Sequence, residues 1–375
     1  MVRVLIHDTT LRDGEQMPGV VFSFEEKLTL TEKFIDFGVD LIDIMPTVSK
    51  TEFRLTKNLA DFYPDKISAS CRLKKEDIDL TLQSGVKRIT LFTPLSDIHL
   101  EKKLRISREE NLIRSEEMID YARSHGLEVD FAGEDSTRVD MDYLLSFIKS
   151  VENKVEIFFI ADTLGCLTPK STFDFISKIK QNCNCKIGFH VHNDFGLATA
   201  NTLEGIRAGV DVFSGTFTGI GERAGNAPIE EVCTGLKFLH SIELNVKYEK
   251  LTDICRQVEE FSGVRLQRHK PIVGTNVFSH ESGIHVDGVI KNPSTYEYFN
   301  PSFVGQKRQF FFGKHSGGGA LRNILGNIPR EHLIQFLNIL KTLSEMGKVS
   351  FSKDDVVYLS NYFQRMNDQG MVELP

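Results

Sequence analysis

The sequence predicts an α/β protein: a (β/α)8 barrel followed by a small, mostly helical C-terminal subdomain. Three observations carry this. Runs rich in Val, Ile, Leu and Phe recur near 2–8, 39–45, 67–71, 88–92, 127–132, 155–161, 186–192 and 211–217. Amphipathic stretches near 25–37, 51–62, 75–84, 108–125, 140–151, 170–182, 196–208 and 227–240 alternate with them, the pattern of βαβ units around a parallel sheet. Eight such units in about 240 residues is the arithmetic of a closed barrel. No Gly-x-Gly-x-x-Gly follows the first run, which disfavours an open dinucleotide-binding sheet.

Taken in order, the strand runs end in residues suited to chemistry. Asp8, Arg72, Glu134, Thr163, His190 and His192 fall at or near those ends, where active sites of such barrels lie. The barrel pattern stops near residue 245, and a helix is expected over 249–262. A connector, His269-Lys270-Pro271-Ile272-Val273-Gly274, follows. Residues 275–315, rich in Gly, His and Phe, read as irregular. Three helices are expected near 317–326, 330–346 and 353–367, the Leu and Ile spacing of 333–343 suiting a helix face. The expected division is therefore 1–270 barrel, 271–316 irregular linker and 317–375 helical subdomain.

Composition narrows the function. The 375 residues are 41% hydrophobic and 26% charged, an ordinary globular balance that excludes a disordered or collagen-like chain. The net charge of −7 and the lack of a Lys/Arg cluster argue against nucleic acid. Six cysteines without zinc-ribbon spacing read as reduced thiols, Cys183-Asn184-Cys185 included. The N-terminus meets a charge at Arg3 and has no long apolar stretch, unlike a signal peptide. The most apolar run, 155–167, is broken by Glu156 and Asp162 and is too short to span a bilayer. A cytoplasmic protein without a membrane partner is expected.

Three segments point to chemistry. In His190-Val191-His192 the two imidazoles share one strand face and can meet one ion, with Asn193 and Asp194 adjacent. Imidazole with carboxylate suits Mg²⁺, Mn²⁺, Zn²⁺ or Fe²⁺. Asp8 closes the first run, before Thr9-Thr10-Leu11-Arg12-Asp13-Gly14-Glu15-Gln16. It is the expected carboxylate ligand, beside a cation, Arg12, suited to a polarised carbonyl or enolate oxygen. Gly219-Ile220-Gly221-Glu222-Arg223-Ala224-Gly225-Asn226 follows the eighth run. Its glycines allow close approach of a ligand, and Asn226 offers the ion a neutral oxygen.

Together these segments resemble the metal-dependent Claisen-condensing synthases, the family of 2-isopropylmalate, homocitrate and citramalate synthases. The resemblance covers most of the chain. Asp8 to Gln16 fits D-x-T-L-R-D-G-x-Q, and His190 to Asn201 fits a second motif. Gly219 to Asn226 fits G-x-G-E-R-x-G-N, and His280 to Gly288 and Gly313 to Gly317 fit two more. The resemblance implies a divalent metal held by Asp8, His190, His192 and Asn226, with Arg12, Glu134, His285 and Tyr296 catalytic. It places Asp13, Arg72, Asp130, Ala132 and Thr163 with the 2-oxo acid, and Gly219, Gly221, Glu222 and Asn226 with CoA. It also implies acetyl-CoA as donor and a homodimer in which His285 and Tyr296 serve the partner's barrel. Asp43-Ile44-Met45-Pro46 departs from the family's E-x-G-x-P, beside the 2-oxo acid pocket.

The fifth run carries the substrate reading. Extended, it turns Asp130, Ala132 and Glu134 to one side. An aspartate at 130, where lysine-pathway homocitrate synthases have an arginine, would repel a second carboxylate unless Arg72 pairs with it. Ala132 leaves room for a branched chain. These points favour 2-oxoisovalerate and 2-isopropylmalate. Ser96-Asp97-Ile98-His99-Leu100 and residues 270–317 instead resemble homocitrate synthases of nitrogen-fixing bacteria. Other readings are a carbon–carbon lyase of the hydroxymethylglutaryl-CoA lyase kind and a non-catalytic barrel. Since about 60 residues follow the irregular segment, no leucine-binding regulatory domain is expected, nor inhibition by leucine.

Overall fold

The computed structural model describes residues 3–368; residues 369–375, the end of the expected helical subdomain, lie outside the described residues. The chain forms two compact units that divide after Leu266.

In the first unit eight parallel strands close into a barrel in chain order. They are β1 (Leu5–Asp8), β2 (Leu41–Ile44), β3 (Ile67–Arg72), β4 (Arg88–Pro94), β5 (Glu128–Glu134), β6 (Ile157–Asp162), β7 (Lys186–Val191) and β8 (Val212–Gly215). A helix follows each one: Phe24–Phe37, Lys50–Phe62, Lys75–Gln83, Arg108–Ser124, Met141–Val151, Pro169–Asn182, Ala198–Arg207 and Ile229–Leu239. All eight expected pairs are present, because the strand and helix periods of burial differ clearly in this sequence. Local chemistry sharpens the starts. Ser23 with Glu26, and Ser107 with Glu110, form reciprocal capping boxes, which satisfy N–H groups that the first turn leaves free. Thr168 caps the helix that opens with Pro169. A further helix, Leu251–Ser262, packs on Phe24–Phe37.

The barrel interior is filled at one end. Leu41, Ile157, Phe159 and Val212 form an apolar plug, with Leu5 and Ala132 packed on it. Strand side chains alternate, so the next inward residue along β1 after Leu5 is His7. Its backbone neighbour on β8 is Ser214, which pairs in turn with His190 on β7. The register thus sets a polar layer directly on the plug, below the C-terminal mouth.

The second unit begins at Gln267. It joins a three-stranded sheet, β9 (Ser279–His280), β10 (Gln309–Phe312) and β11 (Phe351–Ser352), in the order β11-β10-β9. Its helices are Gly283–Lys291, Gly318–Leu325, Arg330–Gly347 and Lys353–Asp368. Val286, Phe312, Leu321, Phe336, Leu340 and Val356 share one core. The segment expected to be irregular therefore carries a nine-residue helix and two strands. Val286 and Val289 are the buried face of that helix, a short signal interrupted by Gly283 and Gly288. Gly288 is open space for Tyr296, whose ring a Cβ there would meet at 2.8 Å. Arg308 pairs with Glu297 at 2.6 Å, and His280 lies 3.3 Å from the same carboxylate.

Gly188 on β7 faces the Phe159 ring so closely that a methyl group would overlap it. Gly188→Ala should lower unfolding free energy by about 1–3 kcal/mol, the cost of overpacking a filled interior. Thermal denaturation reads this; an unchanged Tm would mean that the ring can retreat.

Candidate active site

The mouth of the barrel opens into a cavity of about 390 Å³. Its centre is built from β7 and the turn after β1. His190 and His192 point their Nε2 atoms at one another across 3.2 Å. Asp13 Oδ2 lies 3.1 Å from His190 Nε2 and 3.8 Å from His192 Nε2. These three side chains are the cluster of metal-ligating groups found among the described residues. The His190 Nδ1 atom meets Ser214 Oγ at 2.9 Å, which leaves Nε2 for a ligand. Burial pushes His192 down to about 4, aided by the neighbouring His190, so its imidazole is neutral at physiological pH, as a metal ligand must be.

The carboxylate of this set is Asp13, where the sequence pointed to Asp8. Asp8 is buried, and both its oxygens are taken by Thr10: the backbone N–H donates to Oδ1 at 3.1 Å and the hydroxyl to Oδ2 at 2.8 Å. Burial pushes the Asp8 carboxyl up to about 8 in spite of those bonds. Its work is to shape the turn. Within that turn Thr9 accepts from the backbone N–H groups of Arg12, Asp13 and Gly14 at 2.8–3.2 Å, and the chain doubles back to present Asp13. Burial alone would raise the Asp13 carboxyl, but Arg12 and a hydrogen bond from His190 hold it well below the usual range. Asn226 donates through Nδ2 to Asp13 Oδ2 at 3.0 Å. Its Oδ1 is buried without a partner, and such an orphan calls for a ligand. Two facing imidazole nitrogens, an ionised carboxylate and an unsatisfied amide oxygen fit a divalent cation.

Around this centre stand the other groups. Arg12 donates from Nε to Asp43 Oδ2 at 2.7 Å, and its Nη1 lies 3.9 Å from Asp13. Ser70 also donates to Asp43, at 2.9 Å. Glu134 is held by Lys103 Nζ at 2.8 Å. Thr163 lines the cavity, its hydroxyl accepting from the Asp135 N–H at 2.8 Å. Arg223, in the left-handed region at φ 57, pairs with Asp194 at 2.8 Å and donates to the Thr163 carbonyl. In the glycine-rich loop a Cβ at Gly221 would overlap Asn226, and one at Gly225 would overlap the Gly219 carbonyl. These glycines let the loop pack on itself and deliver Asn226. Glu222 lines the cavity.

Two expected substrate contacts lie elsewhere. Asp130 is buried below the cavity and bound by Arg88 at 2.8 Å. Arg72 sits half-exposed at the rim and turns to Asp77 at 2.5 Å, because the strand has ended and the next helix offers a carboxylate. Ala132 lines the cavity. His285 and Tyr296 lie in the second unit with their rings stacked, centroids 4.0 Å apart. The sequence reading missed His7, Lys103 and Ser214 at this site, and it named Asp43 and Arg223 only within longer segments, without a role of their own. Strand alternation could have found the inward His7, Asp43 and Ser214; no local pattern marks Lys103 or Arg223.

Residues 3–258 match the family model described as HMGL-like, and residues 272–347 match the one described as homocitrate synthase post-HMGL domain-like. A 2-isopropylmalate synthase of Sulfurisphaera tokodaii is 41% identical over 371 residues, 96% of each chain. A homocitrate synthase of Methanothermobacter thermautotrophicus is 39% identical, covering 95% of this chain and 92% of its own. The solved HMG-CoA lyase of Bacillus subtilis superposes with a TM-score of 0.66 at 20% identity, over 73% of this chain and 98% of that one, a likeness of fold. Among the described residues no helix is long and apolar enough to cross a membrane.

Asp13→Asn should remove most bound divalent metal from the purified protein, whereas Asp8→Asn should keep it. Metal content of both variants by elemental analysis checks the assignment; equal loss in the two would return Asp8 to the ligand set.

Proposed function

The chain belongs to the HMGL-like family as a condensing synthase that joins acetyl-CoA to a 2-oxo acid, and we propose that it does so at the Asp13–His190–His192 mouth. The observation that carries this is the convergence of those three donors with the Arg12 guanidinium in one cavity, with Asn226 hydrogen-bonded to Asp13. Asp13, His190, His192 and Asn226 would hold Mg²⁺, Mn²⁺ or Zn²⁺. A divalent ion supplies Lewis acidity to a chelating 2-oxo acid.

The protein groups do the rest. Arg12, fixed by Asp43, presents a planar cation to negative charge growing on a reacting oxygen. Glu134, anchored by Lys103, offers its Oε atoms to a proton at the reacting carbons. The same reading takes the working enzyme as a homodimer and assigns His285 and Tyr296 to the reaction. It assigns Thr163 to the substrate carboxylate and the loop from Gly219 to Asn226 to CoA.

Two acids follow from specific observations. Ala132 on the cavity wall leaves space for a branched chain, which favours 2-oxoisovalerate and 2-isopropylmalate. Asp130 lies outside the cavity and is bound to Arg88, so it no longer stands against the second carboxylate of 2-oxoglutarate, the homocitrate reading.

Thiol release from acetyl-CoA should appear with at least one of 2-oxoisovalerate, 2-oxoglutarate and pyruvate. It should vanish on chelation and return with added Mg²⁺ or Mn²⁺; release that ignores the chelator would refute the metal assignment. Arg12→Lys should lower kcat by about a hundredfold with little change in KM, since lysine cannot reproduce the fork of donors. A raised KM with unchanged kcat would remove Arg12 from the chemistry.

A further inference from the structure

The floor of the cavity holds a buried imidazole that none of the roles above uses. His7 is 3% exposed and lines the cavity. Neither Nδ1 nor Nε2 has a hydrogen-bond partner. One ring face is tilted against Phe159, centroids 4.8 Å apart, which fixes the ring without satisfying either nitrogen. Burial pushes His7 down to about 4, Asp43 opposing the shift. A buried polar group left unpaired costs about 1–3 kcal/mol, and native proteins seldom leave one without a reason. His7 rises from the layer above the apolar plug, opposite the mouth. A 2-oxo acid held at the mouth by its carbonyl and carboxylate must send its side chain toward that floor.

We propose that His7 is the specificity-determining residue of the 2-oxo acid site, donating an N–H hydrogen bond to an oxygen at the far end of the substrate side chain. The inference rests on the condensing reading above. It selects a 2-oxo acid with a polar tail, for which 2-oxoglutarate is the probe, over one with an apolar tail. Either protonation state of an imidazole carries an N–H donor, so recognition does not depend on its titration. Ser70 and Thr90 add hydroxyls to the same walls. Three cations (Arg12, Lys103, Arg223) and four carboxylates (Asp13, Asp43, Glu134, Glu222) line the cavity. A divalent ion would turn that balance positive by one charge, which suits an anionic guest. A branched aliphatic tail would instead cover the imidazole and leave both nitrogens dry. Sites built to hydrogen-bond a substrate discriminate strongly against analogues that lack the group.

The test uses the full chain with Mg²⁺. Initial rates of thiol release are compared for 2-oxoglutarate and 2-oxoisovalerate, in wild type, His7→Leu and His7→Asn. Calorimetric binding of each acid to wild type runs alongside and needs no variant to fold. The expected result is tighter binding and at least tenfold higher kcat/KM for 2-oxoglutarate in wild type. His7→Leu should reverse that ratio through KM, and His7→Asn, which keeps a donor, should restore part of it. Preference of wild type for 2-oxoisovalerate overturns the inference and leaves the condensing reading intact. So does an equal loss for both acids in His7→Leu, the mark of a merely structural residue. Absence of thiol release with any 2-oxo acid overturns the condensing reading, and the inference with it.

Discussion

The burial of one ionised carboxylate organises this barrel mouth. Asp13 is 1% exposed, a position where a lone charge would be untenable. It is tolerated because Arg12 and two imidazoles surround it and Asn226 donates to it. Arg12 in turn stands between two acids, Asp13 and Asp43. The guanidinium is therefore oriented before any substrate arrives. Preorganised charge of this kind needs no rearrangement when negative charge develops nearby.

That arrangement depends on a short turn. The Thr9 carbonyl gathers three N–H groups, and Asp8 clamps Thr10. From the outside, Lys27 of the first helix reaches the Leu11 carbonyl at 3.3 Å, Glu15 at 2.5 Å and Glu52 at 2.7 Å. Lys27 is 1% exposed and is paired with two carboxylates. It ties the turn after β1 to the helices after β1 and β2. Three elements of the first 62 residues thus set one residue, Arg12.

The periodic part of the chain was legible because burial imposes it directly: each strand run and each amphipathic stretch of the barrel maps to an element. His190 and His192 were legible for the same reason, since strand alternation puts them on one face. Asp13 was not. It lies beyond the strand end, where alternation says nothing and the turn decides which of two aspartates faces the imidazoles. Pairings between neighbouring elements distant in sequence, such as Arg88 with Asp130 and Lys103 with Glu134, leave no local trace either. The helix Gly283–Lys291 hid behind its glycines, one of which exists to admit the Tyr296 ring.

The cavity divides into a charged mouth and a floor with no net charge, and the division separates chemistry from choice. On the proposed function, the ion's donors, Arg12 and Glu134 would meet parts that every 2-oxo acid and acetyl-CoA share. His7, Ser70, Thr90, Phe92 and Ala132 line the rest of the space, where one 2-oxo acid differs from another. Relatives named for two different products, 2-isopropylmalate and homocitrate, match this chain almost equally well. Overall identity therefore does not separate those products. On the proposed function, the inward side chains of the floor are where one 2-oxo acid would be told from another, and of these His7 has hydrogen-bonding capacity that the folded chain itself leaves unused.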